Sequence, residues 1–180
     1  DHTLAKYHFD LMSERGIAGG VDLISLRHRA NQQNFGTLKI YVASDSNGQA
    51  TISGTPRVEE VDTVRYRVNF QHRIYLPGPD VSTWYLDFDV NKLSDIHFYE
   101  DYFFEDFRTN REPDNQVSLI HSDPRYQATL MGKFQLNDFY RTTTRLPELS
   151  IDATRQPLGD FGVFYQGSTS LGILKEKWSE

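Results

Sequence analysis

Hydrophobic and polar residues alternate along much of this chain, and the longest alternation covers residues 65–76. One face of this segment carries Tyr66, Val68, Phe70, His72, Ile74 and Leu76, and the other carries Arg65, Arg67, Asn69, Gln71, Arg73 and Tyr75. A β-strand places successive side chains on opposite faces, so this period of two predicts a strand and not a helix. Turn residues follow at 77–80, and the alternation then resumes with Trp84, Leu86, Phe88 and Val90 against Tyr85, Asp87, Asp89 and Asn91. The two segments predict a β-hairpin.

Weaker alternations predict further strands on both sides of this hairpin. Upstream, the apolar positions are Tyr7, Phe9 and Leu11, opposed by Lys6, His8 and Asp10, and then Leu38, Ile40 and Val42, opposed by Lys39, Tyr41 and Ala43. Downstream, they are Tyr126, Ala128, Leu130, Gly132, Phe134 and Leu136, then Leu149, Ile151 and Ala153, then Val163, Tyr165, Leu171 and Ile173. Less regular strands are expected at 21–26 and 117–121. The chain is predicted to have about nine strands and no helix.

The lengths of strands and connections favour one all-β architecture over another. Several predicted strands reach about ten to twelve residues, close to the roughly nine to eleven of a tilted membrane strand and longer than typical globular strands. Long connections near 45–64, 92–115 and 137–147 alternate with tight ones near 77–80, 122–125 and 157–161. An up-and-down barrel has this rhythm. We therefore predict that residues 1–180 are a single all-β segment, an antiparallel up-and-down meander that forms part of a transmembrane β-barrel.

Composition leaves a soluble architecture open. The 12 Phe, 10 Tyr and 2 Trp suit the interfaces of a membrane barrel, but they also suit the core of a soluble β-sandwich, which composition alone favours. Mean hydropathy is −0.58, which does not exclude a barrel because only every second residue of a membrane strand is apolar. A net charge of −6 argues against nucleic-acid binding. The absence of cysteine excludes disulfides and cysteine-ligated metals.

The barrel interpretation assigns each face of the hairpin to an environment. The residues expected to face the lumen are Arg65, Arg67, Asn69, Gln71, Arg73, Asp87, Asp89 and Asn91. Those expected to face lipid are Tyr66, Val68, Phe70, Trp84, Leu86 and Phe88. The arginines are expected to be balanced by Asp87 and Asp89 on the neighbouring strand. On a soluble sheet the same polar rows would face bulk water, and the alternation alone does not decide between the two.

Three strings of residues carry a resemblance to a known family. They are Arg65-Tyr-Arg-Val-Asn-Phe-Gln-His, Trp84-Tyr-Leu-Asp-Phe-Asp-Val-Asn-Lys-Leu-Ser-Asp and Tyr102-Phe-Phe-Glu-Asp-Phe, with weaker support from 38–45 and Leu146-Pro-Glu-Leu. Together they resemble the barrel of the lipopolysaccharide-assembly outer-membrane protein family LptD, also called organic solvent tolerance protein. The family's periplasmic jellyroll and C-terminal aromatic strand have no counterpart here. The resemblance therefore implies a central part of the barrel, within a longer protein.

The resemblance also implies a function and a location. Members of the family lie in the bacterial cell outer membrane, where the barrel is plugged by a lipoprotein. They receive lipopolysaccharide from a periplasmic protein bridge and insert it into the outer leaflet, and no covalent bond changes. The expected partners are thus lipopolysaccharide, the plug lipoprotein and the bridge proteins. The alternatives from other classes are a soluble β-sandwich that binds carbohydrate and a carbohydrate-active enzyme.

An acidic aromatic segment at 95–107 is the most distinctive local feature with possible chemistry. Glu100, Asp101, Glu105 and Asp106 could bind a divalent cation or supply a glycosidase carboxylate pair, but their spacing lacks the ligand pattern of a calcium loop. We expect instead a rim loop whose aromatic residues pack on the barrel and whose acids face water. The six histidines lack the spacing of a zinc motif. The sequence therefore predicts no catalytic residue, no cofactor, no metal site and no enzyme.

Overall fold

A computed structural model describes residues 2–29, 32–51, 58–78, 82–140 and 142–177. The strands are β1 (His2–Met12), β2 (Gly16–Arg29), β3 (Gln32–Asp45), β4 (Gln49–Thr51), β5 (Val58–Glu60), β6 (Val64–Leu76), β7 (Thr83–Leu93), β8 (Gln116–Ser122), β9 (Tyr126–Lys133), β10 (Thr142–Pro157) and β11 (Phe164–Lys177). Two short helices, α1 (Phe98–Tyr102) and α2 (Phe104–Thr109), lie between β7 and β8. The protein is all-β, as the alternation predicts.

Nine strands form one antiparallel meander in the order β1-β2-β3-β6-β7-β8-β9-β10-β11. The predicted meander of about nine strands is confirmed, and each strand pairs with its neighbour in sequence except where the small β4–β5 hairpin intervenes. Within the described ranges the sheet is not closed into a barrel, and β1 and β11 are its edges. No described helix has the length and apolar character needed to cross a bilayer.

The register aligns the two kinds of side chain into separate rows across the sheet. One row joins Tyr7, Val21, Ile40 and Val68, and the next row on the same face joins Leu23, Leu38, Phe70 and Val90. The opposite face carries rows such as Lys39, Asn69 and Asn91. The predicted hairpin is confirmed, because β6 pairs with β7 from Arg67 opposite Leu93 to Leu76 opposite Trp84. The sheet thus has an apolar face and a polar face.

Among the described strands, no second sheet covers the apolar face. Tyr7, Phe9 and Leu171 are 80%, 76% and 77% exposed. Near the middle of the sheet the apolar side chains are half-buried, because neighbouring strands shield them on both sides. The half-buried set includes all of Tyr66, Val68, Phe70, Trp84, Leu86 and Phe88.

The expectation that the chain has no helix is wrong. Phe98 and Tyr102 are four residues apart, as are Phe103 and Phe107, which is a helical spacing, and the rings of all four pack in the core cluster. Acidic residues occupy the first turn of each helix, where their negative charge interacts favourably with the positive end of the helix dipole. Two further details differ: β9 ends at Lys133, so Phe134 and Leu136 follow the strand, and β10 already begins at Thr142. Local helical spacing was the missed signal.

The buried core lies on the polar face, at the end of the sheet where the long connections 46–63, 94–115 and 134–141 emerge. Its members are Ala18, Tyr41, Ala43, Leu93, Phe98, Tyr99 and Tyr140. Gly20 makes room for it, since a Cβ there would lie 2.7 Å from the Tyr41 ring and 2.5 Å from the Ile40 carbonyl oxygen. The helices therefore pack against the polar face and leave the apolar face open. We call residues 98–109 the aromatic insert.

Candidate functional site

Arg65 is the centre of a buried charge cluster at the long-loop end of the polar face. Its side chain is fully buried, and it binds Asp95 through two hydrogen bonds, from Nε at 2.9 Å and from Nη2 at 2.7 Å. Its Nη1 donates to Asp101 at 2.6 Å and to Asp45 at 3.2 Å. A planar guanidinium suits such paired carboxylate contacts. Arg65 therefore joins the end of β3, the loop after β7 and the aromatic insert.

Arg15, in the turn between β1 and β2, completes the cluster. It donates to Asp45 at 2.9 Å and to Asp101 at 2.7 Å. Arg15, Arg65, Asp45, Asp95 and Asp101 together form what we call the rim cluster. With two arginines and three aspartates it has a formal charge of −1, and Asp45 and Asp101 are 0% and 4% exposed. Buried ions remain charged only when they are paired in this way.

Tyr102 connects the aromatic insert to the same cluster. Its hydroxyl donates to Asp45 at 2.8 Å, and the guanidinium carbons of Arg65 and Arg15 lie 5.2 and 5.6 Å from the centre of its ring. Burial raises the pKa of Tyr102 to about 12, and the hydrogen bond to Asp45 acts in the same direction. The neutral phenol is thus the form that the folded protein holds.

Arg67 holds the second half of the aromatic insert. Its Nη1 donates to Asp106 at 2.7 Å, and its guanidinium carbon lies 3.4 Å from the centre of the Phe103 ring. Two positions along β6, the amide of Asn69 donates to the hydroxyl of Tyr99 at 2.7 Å. Alternate residues of β6 therefore bind both helices of the insert.

The rest of the polar row pairs across β6 and β7, partly as predicted. Arg73 binds Asp87 directly opposite, with Nε donating at 2.6 Å, which confirms that expected pair. Asp89, however, accepts from Gln71 at 3.4 Å and from Asn91 at 2.8 Å, and no arginine of the described ranges is paired with it. The expectation that Asp87 and Asp89 balance all three arginines is wrong. Arg65 lies beyond the paired part of β7, so its acids come from the end of β3, the loop after β7 and α1.

The structure places the predicted lumen set on one face and the predicted lipid set on the other. The former comprises Arg65, Arg67, Asn69, Gln71, Arg73, Asp87, Asp89 and Asn91, and the latter Tyr66, Val68, Phe70, Trp84, Leu86 and Phe88. Which environment each face meets stays a prediction. Sequence reasoning missed Arg15, Asp45 and Asp95 as parts of the cluster, since their link to Arg65 is purely tertiary.

The predicted orientation of the insert's acids is wrong for half of them. The side chains of Glu100 and Asp101 are only 10% and 4% exposed, whereas those of Glu105 and Asp106 are 85% and 47% exposed and face water as expected. The predicted packing of the aromatic residues on the sheet is confirmed. Within the described part of the chain, no group of three or more His, Asp or Glu side chains is arranged to hold a metal ion.

Replacing Tyr102 with phenylalanine is expected to lower the free energy of unfolding at pH 7 by about 2 kcal/mol, because Asp45 loses a donor while buried. The pH dependence has a definite sign. Because the folded-state pKa lies above the ordinary value of 10.0, the wild-type contribution is complete below pH 10 and is lost as pH rises toward 12. Urea unfolding at pH 7, 10 and 11.5 measures both effects.

The matched control is Tyr165→Phe, which removes a hydroxyl that is bonded to Gln156 at 3.2 Å from a 46% exposed residue. Its free energy of unfolding is expected to stay within about 0.5 kcal/mol of the wild-type value. If the free energy of unfolding falls as much in Tyr102→Phe as in wild type between pH 10 and pH 11.5, the Tyr102 hydroxyl does not cause the alkaline loss of stability.

The candidate site is thus a polar sheet face that is capped at one end by the aromatic insert and the rim cluster. Its ion pairs lie between elements that are far apart in sequence, so the site depends on the whole meander. Comparison with known proteins identifies no relative: no protein-family model, no curated protein and no solved structure matches this chain.

Proposed function

We propose that this chain is part of the wall of an outer-membrane β-barrel that inserts lipopolysaccharide into the outer leaflet. The observation that carries the proposal is the reversed burial of the sheet. Its charged face holds the buried core and the insert, while its apolar face is open. A soluble sheet buries apolar rows and exposes charged ones. A membrane barrel does the opposite, because hydrocarbon is its outer solvent.

Strand dimensions support the same proposal. The hairpin strands β6 and β7 have 13 and 11 residues, and β2, β3 and β11 have 14 each. A tilted strand needs about nine to eleven residues to cross the hydrocarbon layer. These strands are long enough to cross it and to continue into the interfaces.

The exposed apolar rows would be unfavourable in water. Side chains such as Phe9, Leu11, Leu171 and Ile173 are 76%, 71%, 77% and 66% exposed. The register aligns Phe9 with the half-buried Tyr66 of β6, and Leu171 with the half-buried Leu86 of β7. Contiguous apolar surface of this kind favours contact with a membrane or another protein. Lipid contact accounts for the whole face at once.

Lipopolysaccharide is the proposed cargo because of the sequence resemblance at 65–72, 84–95 and 102–107. These strings form β6, β7 and the aromatic insert, the parts that carry the polar face. A polar face of paired charges and amides suits passage of a charged sugar head group, while acyl chains stay on the apolar side. The plug lipoprotein and the periplasmic bridge are proposed partners on the same ground. Long loops of such barrels lie outside the cell, which would place the insert at the outer leaflet.

Single cysteines test the membrane assignment, since the chain has none of its own. Val68→Cys, Asn69→Cys, Phe70→Cys and Gln71→Cys are labelled with a nitroxide in phospholipid vesicles. Labels at 68 and 70 are expected to collide with oxygen, which partitions into lipid, and those at 69 and 71 with a water-soluble nickel chelate. Ser13→Cys in the β1–β2 turn is the aqueous control. Nickel access at all four strand positions would contradict lipid contact and favour the soluble β-sandwich.

A photo-crosslinking amino acid at Gln71 tests the cargo. In vesicles that contain lipopolysaccharide, we expect it to capture the sugar part of the lipid, because Gln71 lies on the polar face. The same group at Arg125, an exposed residue of the β8–β9 turn at the opposite end of the sheet, is the control for chance contact. A membrane-inserted chain that captures no lipopolysaccharide at Gln71 would contradict the cargo while the barrel assignment stood.

A further inference from the structure

A cavity of about 140 Å³ lies on the polar face beneath the aromatic insert. Its sheet side is lined by Lys39, Arg67, Asn69, Gln71 and Asn91, which lie on three adjacent strands. The other side is formed by the insert and the residues that follow it, including Tyr99, Asp106 and Thr109. A volume of this size is many times that needed for one water molecule. It is large enough for a group such as a single sugar ring.

Two lining residues have a buried polar atom without a hydrogen-bond partner among the described residues: Nε of Arg67 and Oδ1 of Asn69. The Arg67 side chain is only 4% exposed, and it is held in place by Asp106 and the ring of Phe103. The amide nitrogen of Asn69 is likewise held by Asn91 and Tyr99. One donor and one acceptor are thus buried without a partner at neighbouring residues of the cavity wall. Buried polar atoms of this kind are rare and call for a ligand or solvent partner.

The charge of the lining selects the kind of ligand. Among the described lining residues Lys39 and Arg67 are cationic, and Asp106 is the only carboxylate. That carboxylate already accepts from Arg67 at 2.7 Å. The excess positive charge favours an anionic group, while the amides of Asn69, Gln71 and Asn91 can both donate to and accept from hydroxyls.

We propose that this cavity is a binding subsite for one sugar ring that carries a phosphate or carboxylate group. The anionic group lies near Lys39 and Arg67, and the ring hydroxyls bind the amide row. This inference rests on the proposed function, since the charged sugar head group of the cargo would pass along this face. It adds a defined resting position beneath the insert.

The test is isothermal titration of the whole chain, folded in detergent micelles, with glucose 6-phosphate as the probe. Glucose and inorganic phosphate are titrated in parallel to separate the two parts of the ligand. Unlike Arg67, Lys39 is not among the described residues that hold the insert in place. Lys39→Gln therefore removes a positive charge from the cavity lining, and it is expected to weaken glucose 6-phosphate binding by about tenfold. Lys175→Gln is the matched control, because it makes the same charge change at an exposed position of β11.

Binding of glucose 6-phosphate that is tighter than that of either comparator, weakened in Lys39→Gln and unchanged in Lys175→Gln, supports the subsite. No binding, equal binding of inorganic phosphate, or equal loss in both variants overturns it. The nitroxide measurement on Val68 and Phe70 reports lipid contact separately. Failure of the subsite is therefore distinguishable from failure of the membrane assignment.

Discussion

Replacing Arg65 with methionine is expected to lower the free energy of unfolding by about 3–5 kcal/mol, the usual cost of removing one partner from a buried ion pair. Arg65 is fully buried and binds Asp45, Asp95 and Asp101. Without it, the formal charge of the rim cluster changes from −1 to −2, Asp45 and Asp101 keep only Arg15, and Asp95 loses its arginine. Methionine keeps much of the side-chain volume, so the loss reports on charge and hydrogen bonding more than on a cavity.

Denaturant unfolding in micelles, followed by tryptophan fluorescence, measures this loss. Arg108→Met is the matched control, because the pair between Arg108 and Glu105 has side chains that are 64% and 85% exposed. We expect the free energy of unfolding of Arg108→Met to stay within about 0.5 kcal/mol of the wild-type value. Adding Asp95→Asn to Arg65→Met is expected to recover part of the stability by removing one unpaired charge. Identical unfolding of Arg65→Met and Arg108→Met would refute the idea that the rim cluster stabilises the fold.

Placing an arginine on the apolar face is expected to have the second largest effect. Phe70 lies in the middle of β6, and its ring is 6.3 Å from that of Phe88. If this face contacts lipid, Phe70→Arg lowers the free energy of unfolding in a bilayer by about 2–4 kcal/mol. The charged side chain must then either reach the interface or be hydrated within the hydrocarbon layer. Gln71→Arg, one residue further on, makes the charge face the polar side and is expected to cost far less.

The fraction of chain that folds into phospholipid vesicles at increasing urea measures this difference. In short-chain detergent micelles the charged group can reach water easily. We therefore expect the stability difference between Phe70→Arg and Gln71→Arg to be smaller in micelles than in vesicles. An equal cost for Phe70→Arg and Gln71→Arg in vesicles would mean that lipid does not cover the apolar face. A cost for Phe70→Arg that is as large in micelles as in vesicles would point to lost ring packing as its cause.

Local alternation carries most of the information about the strands. The period of two at 65–76 and 84–91 predicted both strands, the hairpin between them and the face of every side chain. It could do so because strand geometry is local: a one-residue slip would exchange the apolar and polar faces, so the pattern also sets the register. The pair of Arg73 with Asp87 follows directly from that register.

The aromatic insert marks where this reasoning fails. Its spacing of Phe98, Tyr102, Phe103 and Phe107 is helical, but the helices are only five and six residues long. Such short helices are marginal by themselves and depend on packing against the sheet. The partners of that packing, such as Tyr41 and Arg67, belong to strands far from the insert in sequence.

By itself the sequence determined an antiparallel meander with one apolar and one polar face, because alternation acts between neighbouring residues and neighbouring strands. Only the tertiary structure decided which charges meet. Arg15, Asp45, Arg65 and Asp101 are brought together by the way the turns and long connections fold over one end of the sheet. Ion pairing is selected by distance in space and by burial, and neither is encoded in the spacing of these residues along the chain.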